Sequence, residues 1–186
     1  MLSSDPVIRF VAVAAALAAL TLTTGASANI VGSDAIEPGT RVNGMFVVQG
    51  LARDADVALF GYYCDPVVLT AGRRTRVCST PLPSVRRIFV GHGTWAVSRR
   101  LLDAVWNAYA GRTEMWIDGQ PVRLTGFGHS DRWLLKYPPA DGRNALLREW
   151  SIVLVGAKGR HSIRYRGRLP QLGVTDVTWK FTVATS

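Results

Sequence analysis

Four arginines carry the clearest chemical pattern in the chain: Arg160, Arg164, Arg166 and Arg168. Their separations are all even, so on an extended strand they project from one face in a row of about 26 Å. A guanidinium is a planar, permanently charged fork that grips phosphate, sulfate or carboxylate through paired N–H bonds. The row therefore predicts an anionic partner: an anionic surface, an acidic polysaccharide or an acidic protein. A second basic run, Arg73, Arg74 and Arg76, reads as the tip of a loop between Cys64 and Cys78. The competing reading of such rows is a solvated sheet face, or an edge whose charges discourage sheet-to-sheet pairing. The chain's net charge is +9, and its excess of arginine, with only three lysines among 22 basic residues, is also what GC-rich codon usage produces.

The aromatic residues offer a different chemistry. Trp150 and Trp179 alternate with aliphatic residues and read as core, whereas Trp116 and Trp133 are candidates for exposure and for stacking on sugars. Signs of catalysis are weak. His92, His129 and His161 form no H-x-x-x-H pair and no H-E-x-x-H helix, so no metal site is expected. Gly128-His129-Ser130-Asp131 holds the residue types of a serine hydrolase, but neighbours in sequence cannot adopt a triad's geometry, and it reads as a polar loop. Glu149 could be half of a glycosidase pair, yet no second carboxylate stands out. The expectation is a non-catalytic binding module without metal or cofactor. The alternatives are a carbohydrate-binding protein using Trp116 and Trp133, or a small secreted enzyme or inhibitor whose geometry the sequence hides. Export and the absence of a nucleic-acid motif argue against nucleic acid.

Export is expected from the N-terminus. Arg9 precedes the uncharged run Phe10–Leu22, and Ala26-Ser27-Ala28 follows. That order describes a signal peptide spanning residues 1–28, and its apolar run is shorter than the roughly 20 residues a membrane-spanning helix needs. The mature protein is expected in an extracytoplasmic compartment (periplasm, cell envelope or medium) without a transmembrane segment. There, Cys64 and Cys78 are expected to form one disulfide.

The elements that must position these groups come next along the chain. Residues 29–44 read as an extended lead-in, and residues 45–186 as one domain. Met45–Val48, Val57–Phe60 running on to Cys64, Val67–Leu69 and Arg87–Val90 have strand character. Ser98 can cap a short helix over residues 99–110, ended by Gly111, with Leu101, Leu102, Val105, Trp106 and Tyr109 at helical spacing. Residues 114–124 read as a hairpin turning at Asp118-Gly119, with Ile117 facing Gln120, Met115 facing Val122 and Glu114 facing Arg123. Three period-two runs follow: Trp150, Ile152 and Leu154; Ile163 and Tyr165; Trp179, Phe181 and Val183. His161 shares a face with Ile163 and Tyr165 and is expected to be hydrogen-bonded and partly buried. The fold class is all-β with one helix.

Trp150-x-Ile-x-Leu, Gly159-x-His161-x-Ile163-x-Tyr165 and Trp179-x-Phe181-x-Val183 together resemble the closing strands of bacterial extracellular immunoglobulin-like domains. The resemblance covers roughly residues 114–184. It implies an antiparallel β-sandwich in an extracellular setting and brings no catalytic residues with it. The early cysteine pair and the helix before the hairpin depart from that family's pattern.

Overall fold

The computed structural model describes residues 34–59, 72–77, 81–136, 140, 142–169 and 173–185. Residues 1–28 and both Cys64 and Cys78 lie outside that set, as does Val67–Leu69.

The chain is mostly β, with predominantly antiparallel sheets and one α-helix among the described residues. Strands β1 (Thr40–Val42), β2 (Met45–Gln49), β3 (Val57–Ala58), β5 (Arg87–Phe89) and β11 (Ile152–Val155) form one sheet in the order β1-β2-β11-β5-β3. Strands β4 (Gly72–Val77), β7 (Thr113–Ile117), β8 (Gln120–Pro121), β12 (Gly159–Leu169) and β13 (Gly173–Val183) form another, in the order β4-β13-β12-β7-β8. A smaller sheet takes the order β6-β10-β9, from β6 (Gly93–Ala96), β9 (His129–Leu134) and β10 (Ala145–Trp150). Among the named strands of the described residues, two pairings are parallel rather than antiparallel, β4 with β13 and β3 with β5. The two five-stranded sheets share one core, in which Met45, Val47, Ile88, Ile152 and Leu154 meet Met115, Ile117, Ile163, Trp179 and Phe181.

The helix α1 (Arg99–Ala110) forms where the sequence predicts it. Ser98 is extended, its hydroxyl accepts from the Leu101 amide at 3.3 Å, and Gly111 follows the last turn. Leu102, Trp106 and Tyr109, on one face at i, i+4 and i+7, are buried. Exposed Leu101 lies off that face.

Two hairpin tips share one form. Asn43 and Gly44 join β1 to β2 with φ of 45° and 84°, and Asp118 and Gly119 join β7 to β8 with φ of 50° and 83°. Successive positive φ angles make both turns type I′, the form that Asn-Gly and Asp-Gly favour. The second half of the expected lead-in is thus a strand and a tight turn. Within the β7–β8 hairpin Ile117 does face Gln120, and the Val122 amide bonds the Met115 carbonyl at 2.9 Å. Glu114 does not meet Arg123. Pairing stops at Pro121, Leu124–Gly126 turns as a 3₁₀ segment, and Arg123 bonds Glu37 at 2.6 Å.

Three further readings change. Trp150, Ile152 and Leu154 are all buried, but they do not form one strand. The chain passes from the three-stranded sheet to a five-stranded one at Ser151, whose amide bonds Gly128 O and whose carbonyl accepts from Gly50. Beside this corner Gly91 and Gly93 flank His92. A Cβ on Gly91 would lie 2.0 Å from Trp150 O, and one on Gly93 would lie 1.8 Å from Arg148 O, so the two backbones touch only because side chains are absent. The polar run His129–Asp131 belongs to strand β9 rather than to a loop. Arg73, Arg74 and Arg76 belong to β4, in register with Asp176, Val177 and Trp179, so this stretch is a strand beside β13 and not a loop tip.

Candidate functional site

Alternation along β12 is regular. His161, Ile163, Tyr165 and Gly167 are buried, while Arg160, Ser162, Arg164, Arg166 and Arg168 lie on the opposite, outer face. The four arginines therefore share a face, although β12 is interior to its sheet and not an edge. They are not equivalent. Arg164 forks onto Asp176, with Nε donating to Oδ1 at 2.8 Å and Nη2 to Oδ2 at 2.6 Å, and its guanidinium lies 4.7 Å from the centre of the Trp116 ring. Arg166 lies 3.8 Å from Glu114. Arg160 and Arg168 have no carboxylate partner among the described residues, and neither does Lys180 on β13. The row is thus neutralised in its middle and charged at its ends.

At the Arg160 end lies a shallow, open cleft of about 490 Å³, bordered by Asn43, Asp118, Arg160, Ser162, Lys180 and Thr182. Its geometry follows from strand register. Arg160 is opposite Thr182 and Ser162 is opposite Lys180, so both cations and both hydroxyls belong to neighbouring outward positions. The opposite wall is made by the two turn tips, joined where Asn43 Nδ2 donates to Asp118 Oδ2 at 3.1 Å. Asp118 is fixed further by the Ser162 amide, which donates to Oδ1 at 2.7 Å, and by His161, whose Nδ1 lies 2.8 Å from Oδ2. The second ring nitrogen of His161 is 3.0 Å from the Lys158 carbonyl, and the residue is buried, as expected from its place on the strand. Burial pushes the Asp118 carboxyl up. The hydrogen bonds from His161, Ser162 and Asn43, with the attraction of the His161 ring, outweigh that and hold it below the ordinary carboxylate value. The wall is a fixed, ionised carboxylate.

No protein-family profile, curated protein or solved structure matches this chain.

Two other clusters have the residue types of chemistry but not the geometry. His92 sits in an aromatic box: its Nδ1 is 2.7 Å from the Tyr109 hydroxyl, and its ring stacks on Tyr165 at 4.4 Å between centroids. That enclosure lowers the His92 pKa to about 4 and raises those of both tyrosines. The Tyr165 hydroxyl donates to Val90 O at 2.6 Å. The hollow beside these rings is about 10 Å³, room for a single water at most and none for a substrate.

Under α1, Arg148 donates from Nε and Nη2 to Asp131 at 2.6 and 2.8 Å and from Nη1 to Asp103 at 2.9 Å, while Arg99 reaches Asp131 at 3.1 Å. These bonds tie the helix to β9 and β10. His129 lies against Trp106 at 5.2 Å, so the His129-Ser130-Asp131 run has its acid and its ring committed elsewhere. Burial raises the Glu149 carboxyl, partly offset by Arg132 Nε at 2.9 Å. Among the described residues, no group of three His, Cys, Asp or Glu side chains can hold a metal, and no helix is long and apolar enough to cross a membrane.

Trp133 is 57% exposed on β9, whereas Trp116 lies on β7, in a different sheet and under the Arg164 guanidinium. The structure does not assemble these two into one platform. The side chains of Arg73, Arg74 and Arg76 are outside the described set. Residues the sequence reading passed over are Asn43, Asp118 and Lys180. Asn43-Gly44 just before the apolar run Met45–Val48 was the available sign of a hairpin, and the alternation of Trp179 and Phe181 already put Lys180 on the outer face.

Proposed function

We propose that this protein is an exported, non-catalytic binding module that holds an anionic partner on the outer face of the β4-β13-β12-β7-β8 sheet, at the Arg160–Lys180 cleft. One observation carries the reading. Within a row of four arginines, the two in the middle are paired to acids, while Arg160 and nearby Lys180 form no ion pair among the described residues and border a cleft whose one carboxylate, Asp118, is bonded to His161, Ser162 and Asn43 instead. Guanidinium and ammonium groups left in this state attract an anion from solution at little internal cost.

Kinship with immunoglobulin-like sandwiches is part of the same proposal. It is supported by the order β13-β12-β7-β8, which follows strands G-F-C-C′ of such domains, and by β5/β6–β10/β11–β9, which follows B-E-D. The β1–β2 hairpin beside β11 and helix α1 between β6 and β7 are additions to that plan. The non-catalytic reading is supported by the closed aromatic box and by the internal pairing of Asp131 and Glu149.

Elution from a carboxylate-bearing matrix in a salt gradient tests the proposal. The double variant Arg160→Ala/Lys180→Ala is compared with Arg100→Ala/Arg112→Ala, which removes the same charge from exposed positions on and just after α1. The cleft variant is expected to elute at clearly lower salt than both the parent and the control. Equal elution of the two variants, or retention of the parent that ignores salt, overturns the proposal.

A further inference from the structure

We infer that the ligand unit of the Arg160–Lys180 cleft is an acidic sugar: a pyranose carrying one carboxylate beside free hydroxyls. The inference rests on the anion-binding reading above and narrows it.

The two walls of the cleft differ in chemistry. One bears Arg160 and Lys180, which suit a single carboxylate placed between them. The other bears Asn43 and the ionised Asp118. A dense polyanion laid across the cleft, such as a sulfated chain or a phosphate cluster, would bring a second negative charge against Asp118. A sugar hydroxyl there would meet an acceptor instead. A carboxylate has about four acceptor sites, and Asp118 uses three, for Ser162 N, His161 Nδ1 and Asn43 Nδ2. That leaves one lone pair on Oδ1, on a side chain only 8% exposed, so most of the polar contact on this wall falls to Asn43. Asn43 adds an exposed amide that can donate and accept, and Ser162 and Thr182 add hydroxyls on the cleft floor. Donors and acceptors intermingled opposite one charged pair match a hydroxyl-rich ring with one acid group. The volume, about 490 Å³, falls in the range of about 300–1,000 Å³ usual for small-molecule sites.

The wall is also preorganised. Asn43 and Asp118 are held at positive φ in type I′ turns, and Asp118 is clamped from three directions, so little ordering is left for the ligand to drive.

The test is a titration of ¹⁵N-labelled protein, followed by NMR, with trigalacturonate, with neutral galactotriose and with inorganic sulfate. Trigalacturonate is expected to shift the signals of Asn43, Arg160, Ser162, Lys180 and Thr182 saturably, galactotriose to leave them unmoved, and sulfate to bind more weakly than the uronate. Asn43→Gly keeps the positive φ of the turn while deleting the amide. It is expected to weaken uronate binding about five-fold, the loss of about one hydrogen bond, and sulfate binding by a smaller factor. Arg160→Ala is expected to remove both. Sulfate binding as tight as uronate, or uronate affinity untouched by Asn43→Gly, overturns the acidic-sugar assignment while leaving the anion site standing. Loss of the difference between cleft and control variants on the matrix overturns the anion site itself.

Discussion

Arg148 and Arg160 stand on β10 and β12, twelve residues apart in sequence, and carry the same side chain into opposite situations. Arg148 is 9% exposed, has all three guanidinium nitrogens bonded to Asp131 and Asp103, and lies over Trp106. Arg160 is exposed and forms no ion pair among the described residues, the Asp118 carboxylate of its cleft being bonded to other groups. The first joins a helix to a sheet, and its charge is cancelled where it stands. The second leaves its charge facing solvent across a cleft. Arginine content alone therefore says nothing about binding. The decisive variable is whether a carboxylate lies within reach of each fork. Arg164, paired to Asp176 yet a third exposed, falls between the two.

Substitution at Arg148 is the sharpest way to break this comparison. Arg148→Met removes the fork and leaves Asp131 and Asp103 without their main partner, and it is expected to cost about 3 kcal/mol in denaturant unfolding. A loss under about 1 kcal/mol would mean that the network is dispensable. Acid titration extends the point. Hydrogen bonds from Arg148 hold the Asp131 carboxyl below its ordinary value, and Asp118 is lowered too. A depressed carboxyl contributes stability above its unfolded pKa, near 4, and loses it as pH falls through the lower folded value. His92 acts in the same direction at higher pH. Its folded pKa of about 4 lies below the unfolded 6.5, so its contribution fades as pH falls from 6.5 towards 4. Thermal melts from pH 7 to 3 are expected to show two descents, and His92→Gln to flatten only the upper one.

Smaller effects separate the outer-face arginines. Arg164→Ala is expected to cost about 1 kcal/mol, since its ion pair is partly exposed but supported by the Trp116 ring. Arg160→Ala is expected to change stability by less than about 0.5 kcal/mol while lowering anion retention. If unfolding shows Arg160→Ala to cost as much as Arg164→Ala, the division of the row into paired and unpaired members is wrong.

Local signals in the sequence were sufficient wherever one residue's backbone preference decided the outcome. Ser98 and Gly111 mark the ends of α1, Asp118-Gly119 marks a turn, and the even spacing of arginines fixes their common face. Non-local choices were hidden. Trp150, Ile152 and Leu154 alternate whether or not the strand changes sheets at Ser151, because burial on both sides of that corner asks for the same residues. The charged stretches Arg73–Arg76 and His129–Asp131 lack apolar alternation and read as loops. They are strands because neighbours with complementary registers recruit them. The partners of Arg164 and Arg148 are set by tertiary contact, and nothing in the spacing of the arginines distinguishes them from Arg160. The cleft was invisible for the same reason: Asn43 and Asp118 are 75 residues apart.

The handshake between the two hairpin tips has one more consequence. Asn43 hangs from the sheet that contains β11 and Asp118 from the sheet that contains β12, so a guest seated against both rivets the layers together. Occupancy and cohesion then become a single equilibrium. A guest at a hundred times its dissociation constant would raise unfolding free energy by about 2.7 kcal/mol, enough for a melting curve to report it without any label.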